Sequence, residues 1–252
     1  MSERILENRV AVITGASRGL GKAMSLALAG AGARLALVGR DLDALNQTAS
    51  AARELGAEAE IYRANIVEES VVLELEKAVT ARFGKVHILV NNAGVNVRKS
   101  ITDFTLDDWN LVLDTNLTSV FLMCRSFVPH MKGNGYGRII NMTSMMSHVS
   151  LPGRVPYSAS KAGLLGMTRT LALELAPEGI TVVGISPGPF ATEMNIPVMN
   201  NPEINQQFVS KIPVGRWGRV DEIGKLALFL CSDDAGFITG TDILIDGGWC
   251  AQ

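Results

Sequence analysis

The sequence contains few histidines, cysteines and aromatic residues, and it has almost no net charge. Three His and three Cys in 252 residues, with no Cys-x-x-Cys pair, give no zinc-ligand spacing, and we expect no metal in the active site. Cys124, Cys231 and Cys250 lie far apart, so we expect them to be reduced packing residues. Lys and Arg number 23 against 25 Asp and Glu, and the two signs alternate along the chain. This balance points away from nucleic acid or a membrane surface and towards a small-molecule partner.

Long apolar runs are also missing. The opening residues, MSERILENRV, are charged, and no later stretch has eighteen uninterrupted apolar residues. The sequence therefore predicts neither export nor membrane insertion. We expect the protein to be cytoplasmic.

What the sequence does have is a regular alternation of short β-branched runs with longer helical segments. Hydrophobic residues make up 47% of the chain, which is ample for one large core, so we predict a single α/β domain over 1–252. The predicted strands are 10–14, 34–39, 59–64, 87–92, 137–142, 180–185 and 242–247. Helices are predicted over 23–32 and from near Asp41, Glu68, Thr105, Pro156 and Val220. This pattern indicates a Rossmann-type doubly wound fold, a seven-stranded parallel sheet with helices on both faces.

The segment 186–216 is rich in Pro, Asn and Met and has no clear strand or helix pattern. An irregular segment of this length within a compact domain is usually a lid or a binding loop. We therefore predict a substrate lid, and a surface excursion without function is the alternative.

A glycine-rich turn, TGASRGLG, follows the first predicted strand and opens a helix. Gly15, Gly19 and Gly21 permit a tight turn and a close approach of the backbone to a pyrophosphate, whose charge a helix N-terminus favours. The position of the turn, between an apolar strand and an Ala-rich helix, strengthens this interpretation. The turn predicts a dinucleotide site.

The end of the second predicted strand indicates which dinucleotide binds. In this fold an acid there binds the 2′-hydroxyl of NAD, whereas a nearby Arg accommodates the 2′-phosphate of NADP. Gly39 takes the place of the acid, Arg40 follows it, and Arg18 can approach from the glycine turn. Asp41 is better explained as the N-cap of the next helix. We therefore predict that the cofactor is NADP(H).

Tyr157 and Lys161 stand four residues apart at the start of an apolar helix, with only small residues between them. This spacing puts both side chains on one helix face, where a phenol and an ammonium could act on the same ligand. An isolated pair of this kind is more often a packed tyrosine beside a surface lysine. Ser144 follows the fifth predicted strand, so we expect it at the carboxyl edge of the sheet, where ligands bind in open α/β folds.

Taken together, the motifs make the chain similar to the short-chain dehydrogenase/reductase family. They occur in the family's order and spacing over essentially the whole chain: TGASRGLG, NNAG at 91–94, Asn116 in DTNLTSVF, Ser144, YSASK at 157–161 and SPGPFAT at 186–192. The resemblance implies an enzyme that interconverts a ketone and a secondary alcohol with a nicotinamide cofactor. Members of the family usually form homotetramers, through the helices that start near Thr105 and Pro156 and through the last strand.

The resemblance also assigns roles to four residues. Tyr157 would be the general acid/base, and Lys161 would hold the nicotinamide ribose. Because the pKa of a free phenol is near 10, Lys161 would also be needed to lower the pKa of Tyr157. Ser144 would orient the substrate oxygen, and Asn116 would hold a water in a proton relay.

The family pattern assigns the cofactor contacts as well. They are Gly15, Ser17, Arg18, Gly19, Leu20, Gly21, Arg40, Asn65, Ile66, Asn92, Ala93, Gly94, Tyr157, Lys161, Pro187, Gly188 and Thr192. Two positions depart from the pattern: Asn65 stands where many relatives have Asp, and Ser186 stands where Asn often precedes Pro-Gly. We expect the Ser186 replacement to be tolerated.

The predicted substrate pocket is mostly apolar and contains two cations. Its predicted residues are Arg98, Met146, Arg154, Phe190 and Met194. Each arginine is either a surface or inter-subunit salt-bridge residue or one arm of a site that captures a carboxylate.

The substrate class is predicted from resemblance to branches of the family. Arg98 after NNAG and the DGGW ending resemble the gluconate 5-dehydrogenase and deoxygluconate dehydrogenase branch, so we predict a sugar acid or polyol. The glycine turn and Arg40 are equally similar to 3-oxoacyl-carrier-protein reductases, which leaves that reductase, or a broad carbonyl reductase, as the alternative. A non-catalytic NADP-binding sensor is a third reading, which the presence of both Tyr157 and Lys161 disfavours.

Overall fold

Seven parallel strands form one sheet in the computed structural model, which describes residues 4–252 apart from the side chain of Met194. The strand order is β3-β2-β1-β4-β5-β6-β7. The strands are β1 Val10–Thr14, β2 Arg34–Gly39, β3 Ala59–Arg63, β4 Ile88–Asn91, β5 Gly137–Met142, β6 Ile180–Pro187 and β7 Asp242–Ile245. The predicted doubly wound parallel sheet is therefore confirmed.

The α-helices connect the strands and cover both faces of the sheet. They are α1 Gly19–Gly30, α2 Leu42–Glu54, α3 Glu69–Phe83, α4 Leu106–Leu113, α5 Ser119–Phe127, α6 Val155–Leu175, α7 Ile196–Met199, α8 Pro202–Val209 and α9 Val220–Cys231. Their predicted starts are accurate to one residue where a cap marks them, as at Asp41, whose carboxylate accepts from Ala44 N–H at 3.1 Å. The first helix starts four residues before its predicted start, because Gly19 and Gly21 of the glycine turn are already helical.

Alternate residues of β1 belong to two separate cores. Ala11 and Ile13 pack with α1, α2 and α9, whereas Val10 and Val12 pack with α3, α5 and α6. Successive strand side chains point to opposite faces, so a strand covered on both faces must be apolar throughout. Coverage of both faces of the sheet is the reason that the strand segments are almost continuously apolar.

The segment predicted to be irregular contains two helices, so that prediction is wrong in part. A 3₁₀ turn at Glu193–Asn195 leads into α7, and α8 follows. Asn201 caps α8 by accepting from Ile204 N–H at 3.2 Å, and Pro202 occupies its first turn. We call 186–216 the lid.

One helical stretch, Leu106–His130, is long and apolar enough to cross a membrane by length and composition alone. It is not one regular helix, because a π turn at Asp114–Thr118 separates α4 from α5. Half of its most apolar window is buried within the structure, as in the core helix of many soluble proteins.

Candidate active site

The carboxyl ends of β1, β4, β5 and β6 open into a cleft of about 770 Å³. Strand β1 lies between β2 and β4, so the connections leave it in opposite directions and create the crevice in which open α/β sheets bind ligands. Every residue predicted to contact the cofactor lines this cleft: Gly15, Ser17, Arg18, Gly19, Leu20, Gly21, Arg40, Asn65, Ile66, Asn92, Ala93, Gly94, Tyr157, Lys161, Pro187, Gly188 and Thr192.

The glycine turn fits a dinucleotide pyrophosphate. Gly15 and Gly19 have φ angles of +63° and +55°, which side-chain-bearing residues rarely adopt. A Cβ on Gly21 would lie 2.2 Å from the carbonyl oxygen of Gly15, so only glycine fits there. No side chain caps the N-terminus of α1 and its first turn has no acid, which leaves its N–H groups for an anion.

The NNAG motif holds this turn against the sheet. The side-chain amide of Asn92 donates to the carbonyl oxygens of Thr14 and Gly15 at 2.9 and 3.0 Å. The backbone N–H groups of Asn92 and Ala93 donate to the hydroxyl of Thr14 at 2.9 and 3.1 Å. Our reading of the sequence missed Thr14, although its position as the last residue of β1 was a signal.

Two arginines stand at the adenosine end of the cleft. Arg40 is exposed and forms no ion pair within residues 4–252. Arg18 lies 3.7 Å from Glu193 of the lid in an exposed pair, which costs little to open. The side chain of Asp41 caps α2 and does not pair with Arg40.

Ser144, Tyr157 and Lys161 come together at the inner end of the cleft. The hydroxyl of Ser144 lies near enough to the phenol of Tyr157 to lower its pKa, and it accepts from Met146 N–H at 3.1 Å. The ammonium of Lys161 is buried, donates to the carbonyl oxygen of Met142 at 2.5 Å and lies 5.7 Å from the centre of the Tyr157 ring. The i, i+4 spacing of the two residues on α6 produces this proximity.

Asn116 lies behind this group and does not line the cleft in the described part of the chain. It sits in the π turn between α4 and α5 and is 0% exposed. Its amide donates to Val95 O at 2.9 Å and Ser160 Oγ at 3.1 Å, and its oxygen accepts from Val95 N–H at 2.8 Å. The role of Asn116 in holding a water stays a prediction.

Burial dominates the electrostatics of the site. It raises the pKa of Tyr157, while the Ser144 hydroxyl and the charge of Arg154 oppose that rise. Burial also lowers the pKa of Lys161 to about 8. A lysine with this pKa is still mainly protonated at neutral pH, and its Nζ lies 5.7 Å from the centre of the Tyr157 ring, so the role of Lys161 in lowering the pKa of Tyr157 stays a prediction.

The pH dependence of turnover should reveal this influence of Arg154. Removing its charge in Arg154→Gln leaves the phenolate of Tyr157 with less stabilisation, so the pKa of that phenol rises. Because alcohol oxidation needs the phenolate, the acidic limb of its pH–rate profile should move to higher pH. Arg154→Lys, which keeps the charge, should stay close to the parent profile; a profile of Arg154→Gln that coincides with the parent would contradict the account.

The predicted substrate residues divide into two groups. Arg98, Met146 and Arg154 line the cleft near Tyr157. Phe190 touches the cleft but is only 4% exposed, because its ring fills the space above Gly218. The side chain of Met194 lies outside the described residues.

Arg98 and Arg154 form a pair of like charges. Burial and the neighbouring charge of Arg98 both lower the pKa of Arg154. Neither guanidinium has a carboxylate within 4 Å in residues 4–252, so no salt bridge within the described chain explains them. Two uncompensated cations beside Tyr157 create a place for an anion.

Our reading of the sequence also missed the aromatic wall of the cleft on the lid side. Phe208 stacks on Trp217 with ring centres 5.0 Å apart and planes 5° apart, and both line the cleft. Trp249 packs on the other side of Phe208 at 5.3 Å. Two of the three tryptophans of a chain poor in aromatics meet here, and that rarity was the available signal.

Comparison with known proteins agrees with this geometry. The family model described as enoyl-(acyl carrier protein) reductase matches residues 15–250. Acetoacetyl-CoA reductase of Shinella zoogloeoides is 40% identical over 245 residues, which cover 96% of this chain and 98% of the relative. Gluconate 5-dehydrogenase of Gluconobacter oxydans is 33% identical over 238 residues, which cover 94% of this chain and 93% of the relative.

One solved structure matches this chain over its whole length. It is a protein of Agrobacterium tumefaciens assigned as a 2-deoxy-D-gluconate 3-dehydrogenase, with bound NADP. It superposes with a TM-score of 0.91 at 31% identity, and all of both chains is covered.

Proposed function

Because the chain belongs to the short-chain dehydrogenase/reductase family, whose members act on CH–OH donors, we propose that it uses NADP(H) to interconvert a keto group and a secondary alcohol in a small carboxylic acid. The observation that carries the choice of an acid is the pair Arg98 and Arg154, two cleft arginines without a carboxylate partner in the described chain. A sugar acid, as in the name of the gluconate 5-dehydrogenase relative, is the substrate that this pair favours.

The proposed chemistry divides between the cofactor and the chain. When bound, NADPH supplies the hydride that reduces the carbonyl carbon, and NADP⁺ accepts it in the reverse direction. Tyr157 donates its phenolic proton to the carbonyl oxygen, so that the alcohol forms and a phenolate remains. The Ser144 hydroxyl, which lies near Tyr157, would orient the substrate oxygen, and the charge of Arg154 would stabilise the phenolate.

Lys161 and Asn116 act from behind the reacting atoms in this proposal. The buried ammonium of Lys161 would hold the nicotinamide ribose, and its lowered pKa, about 8, suits transfer of a proton. Asn116, which is held through Val95 and Ser160, would support the water through which that proton passes.

NADP is proposed as the cofactor because Arg40 has no partner in the described chain and Asp41 is committed to capping α2. Bound NADP in the Agrobacterium structure supports the same choice. Arg40→Ala should raise the KM for NADPH about tenfold or more, as loss of one charge-assisted bond does, and should leave the KM for NADH nearly unchanged. Initial rates at varied cofactor concentration measure both constants. An equal rise in the KM for NADPH and for NADH would contradict the assignment of Arg40 to the 2′-phosphate.

A substrate panel tests the proposed function. Initial rates of NADPH oxidation, followed by absorbance, are compared for 5-ketogluconate, an uncharged polyol ketone and an acetoacetyl thioester. Preference for the keto acid is expected. Preference for the thioester would favour the second candidate, a 3-oxoacyl thioester reductase, which the acetoacetyl-CoA reductase relative makes a definite alternative. Tight NADPH binding with no turnover of any carbonyl compound would favour a sensor.

A homotetramer is part of the same proposal. Large apolar side chains are exposed on the elements that would form the interfaces: Leu106, Leu111, Phe121, Val155, Leu173 and Leu244. Exposed large apolar side chains are often buried in a protein contact. Light scattering coupled to size exclusion should give four times the monomer mass, and a monomer would count against the proposal.

A further inference from the structure

A buried carboxylate lies behind Ser144, on the side away from the cleft. Asp242 is the first residue of β7, and its side chain is only 7% exposed. One of its oxygens accepts from the hydroxyl of Ser186 and from Nε2 of His148, the latter at 2.7 Å. Since an ionised carboxylate can only accept, both partners donate to it.

These two partners reach both ends of the turn that carries Ser144. This turn is a single 3₁₀ turn, Met145–Ser147, with Ser144 as its N-cap and His148 as its C-cap. At one end the single hydroxyl proton of Ser186 is shared between the Asp242 carboxylate and the carbonyl oxygen of Ser144, which lies 3.0 Å from the Ser186 oxygen. At the other end His148 is bonded directly to Asp242. Asp242 is thus connected to both residues that flank the turn: to Ser144 through Ser186, and to His148 directly.

The charge and the burial of Asp242 stabilise its hydrogen bonds to Ser186 and His148. A buried carboxylate without donors is costly, so Asp242 keeps both of its donors in place. Thr143, which precedes Ser144, adds a contact of 2.9 Å between its hydroxyl and that of Ser186. The backbone around Ser144 is therefore fixed from β6 and β7, whereas its hydroxyl faces Tyr157 in the cleft.

We propose that Asp242 is a positioning residue, which acts through Ser186 and His148 to hold the turn so that the Ser144 hydroxyl meets Tyr157 and the substrate oxygen. This inference rests on the proposed function, because it assumes that Ser144 orients the substrate. Ser186, which we expected to be only a tolerated replacement, is an essential link in this arrangement. Asp242 and His148 are 94 residues apart in the sequence, so no local motif indicates the contact.

The test measures kcat, KM, NADPH affinity and melting temperature for Asp242→Ala and His148→Ala, with 5-ketogluconate or the best substrate of the panel. Misplacing a reacting group by about 1 Å can cost up to about 100-fold, so kcat should fall at least about tenfold in Asp242→Ala. The Kd for NADPH should change less than about twofold, since the cofactor residues are untouched. His148→Gln, which restores a side-chain N–H donor, should recover most of the kcat that His148→Ala loses.

The matched control is His130→Ala. His130 makes a contact of the same kind and length, 2.6 Å to Glu76, but on the far side of the sheet from the lid. Its loss should leave kcat unchanged. If His130→Ala lowers kcat as much as His148→Ala does, the effect is one of general stability and the inference is wrong.

A double variant separates this inference from the proposed function. If Asp242 acts through Ser144, adding Asp242→Ala to Ser144→Ala should lower kcat no further, because the hydroxyl to be positioned is gone. An additive loss, or an Asp242→Ala enzyme with normal kcat, overturns the inference while the proposed function stands. A Ser144→Ala enzyme with normal kcat overturns the proposed role of Ser144, and the inference fails with it.

Discussion

Replacing Tyr157 by Phe should lower kcat about 1,000-fold or more while NADPH binds almost as before, since general acid–base groups contribute about 100- to 10,000-fold. The phenol lines the cleft, and both the Ser144 hydroxyl and the charge of Arg154 lower its pKa against the effect of burial. Phe keeps the ring and its packing but has no proton to donate. Turnover is measured by NADPH absorbance and binding by the change in cofactor fluorescence.

Tyr62→Phe is the matched control for this prediction. Tyr62 lies on β3, outside the residues that line the cleft, and burial raises the pKa of its phenol as it does for Tyr157. Burial of a tyrosine is thus not what makes it catalytic, and Tyr62→Phe should keep normal kcat. Turnover by Tyr157→Phe at the parent rate would mean that another group supplies the proton.

Replacing both Arg98 and Arg154 by Ala should lower kcat/KM for a keto acid about 100-fold or more. A hydrogen bond to a charged group contributes about 1.5–3 kcal/mol, and about 1.4 kcal/mol corresponds to a factor of ten. In Arg98→Ala alone, most of the loss should be in KM, because in our proposal this residue binds the substrate and does not act on Tyr157. In Arg154→Ala, kcat should fall as well, because Arg154 also stabilises the phenolate.

Lys99→Ala provides the control for the arginine variants. Lys99 is the neighbour of Arg98 in sequence, but its ammonium is paired with Asp108 at 2.6 Å. Its removal deletes one positive charge from the same segment without touching the cleft. A keto-acid KM that rises equally in Arg98→Ala and Lys99→Ala would point to the general charge of the surface, and the proposed carboxylate site would be wrong.

Local sequence patterns are enough to predict the fold and the pairing of Tyr157 with Lys161 at the inner end of the cleft. The alternation of apolar runs with helical segments follows directly from a sheet that is covered on both faces, as Val12 and Ile13 illustrate by packing into different cores. The spacing of Tyr157 and Lys161 is likewise a local property of one helix. For the same reason Asp41 was recognisable as a cap.

The features that could not be predicted from the sequence are short helices, effects of burial and contacts between residues far apart in the chain. Helices α7 and α8 were missed because four and eight residues are too short to show a helical period in a segment with five prolines and several asparagines. The shifts in the pKa of Tyr157 and of Lys161 could not be predicted, because desolvation is a property of the folded interior. The contact of Asp242 with His148 exists only because β7 lies beside β6 in the sheet.

One measurement tests the central claim most directly: kcat/KM of the same keto acid as the free acid and as its methyl ester, with NADPH. The two compounds carry the same carbonyl group, so Tyr157 and the cofactor act on them alike, and they differ in the charge that Arg98 and Arg154 would bind. We predict that the acid is preferred about 100-fold or more in the parent enzyme and that the preference nearly vanishes in the double arginine variant. Equal turnover of acid and ester by the parent enzyme would contradict the account.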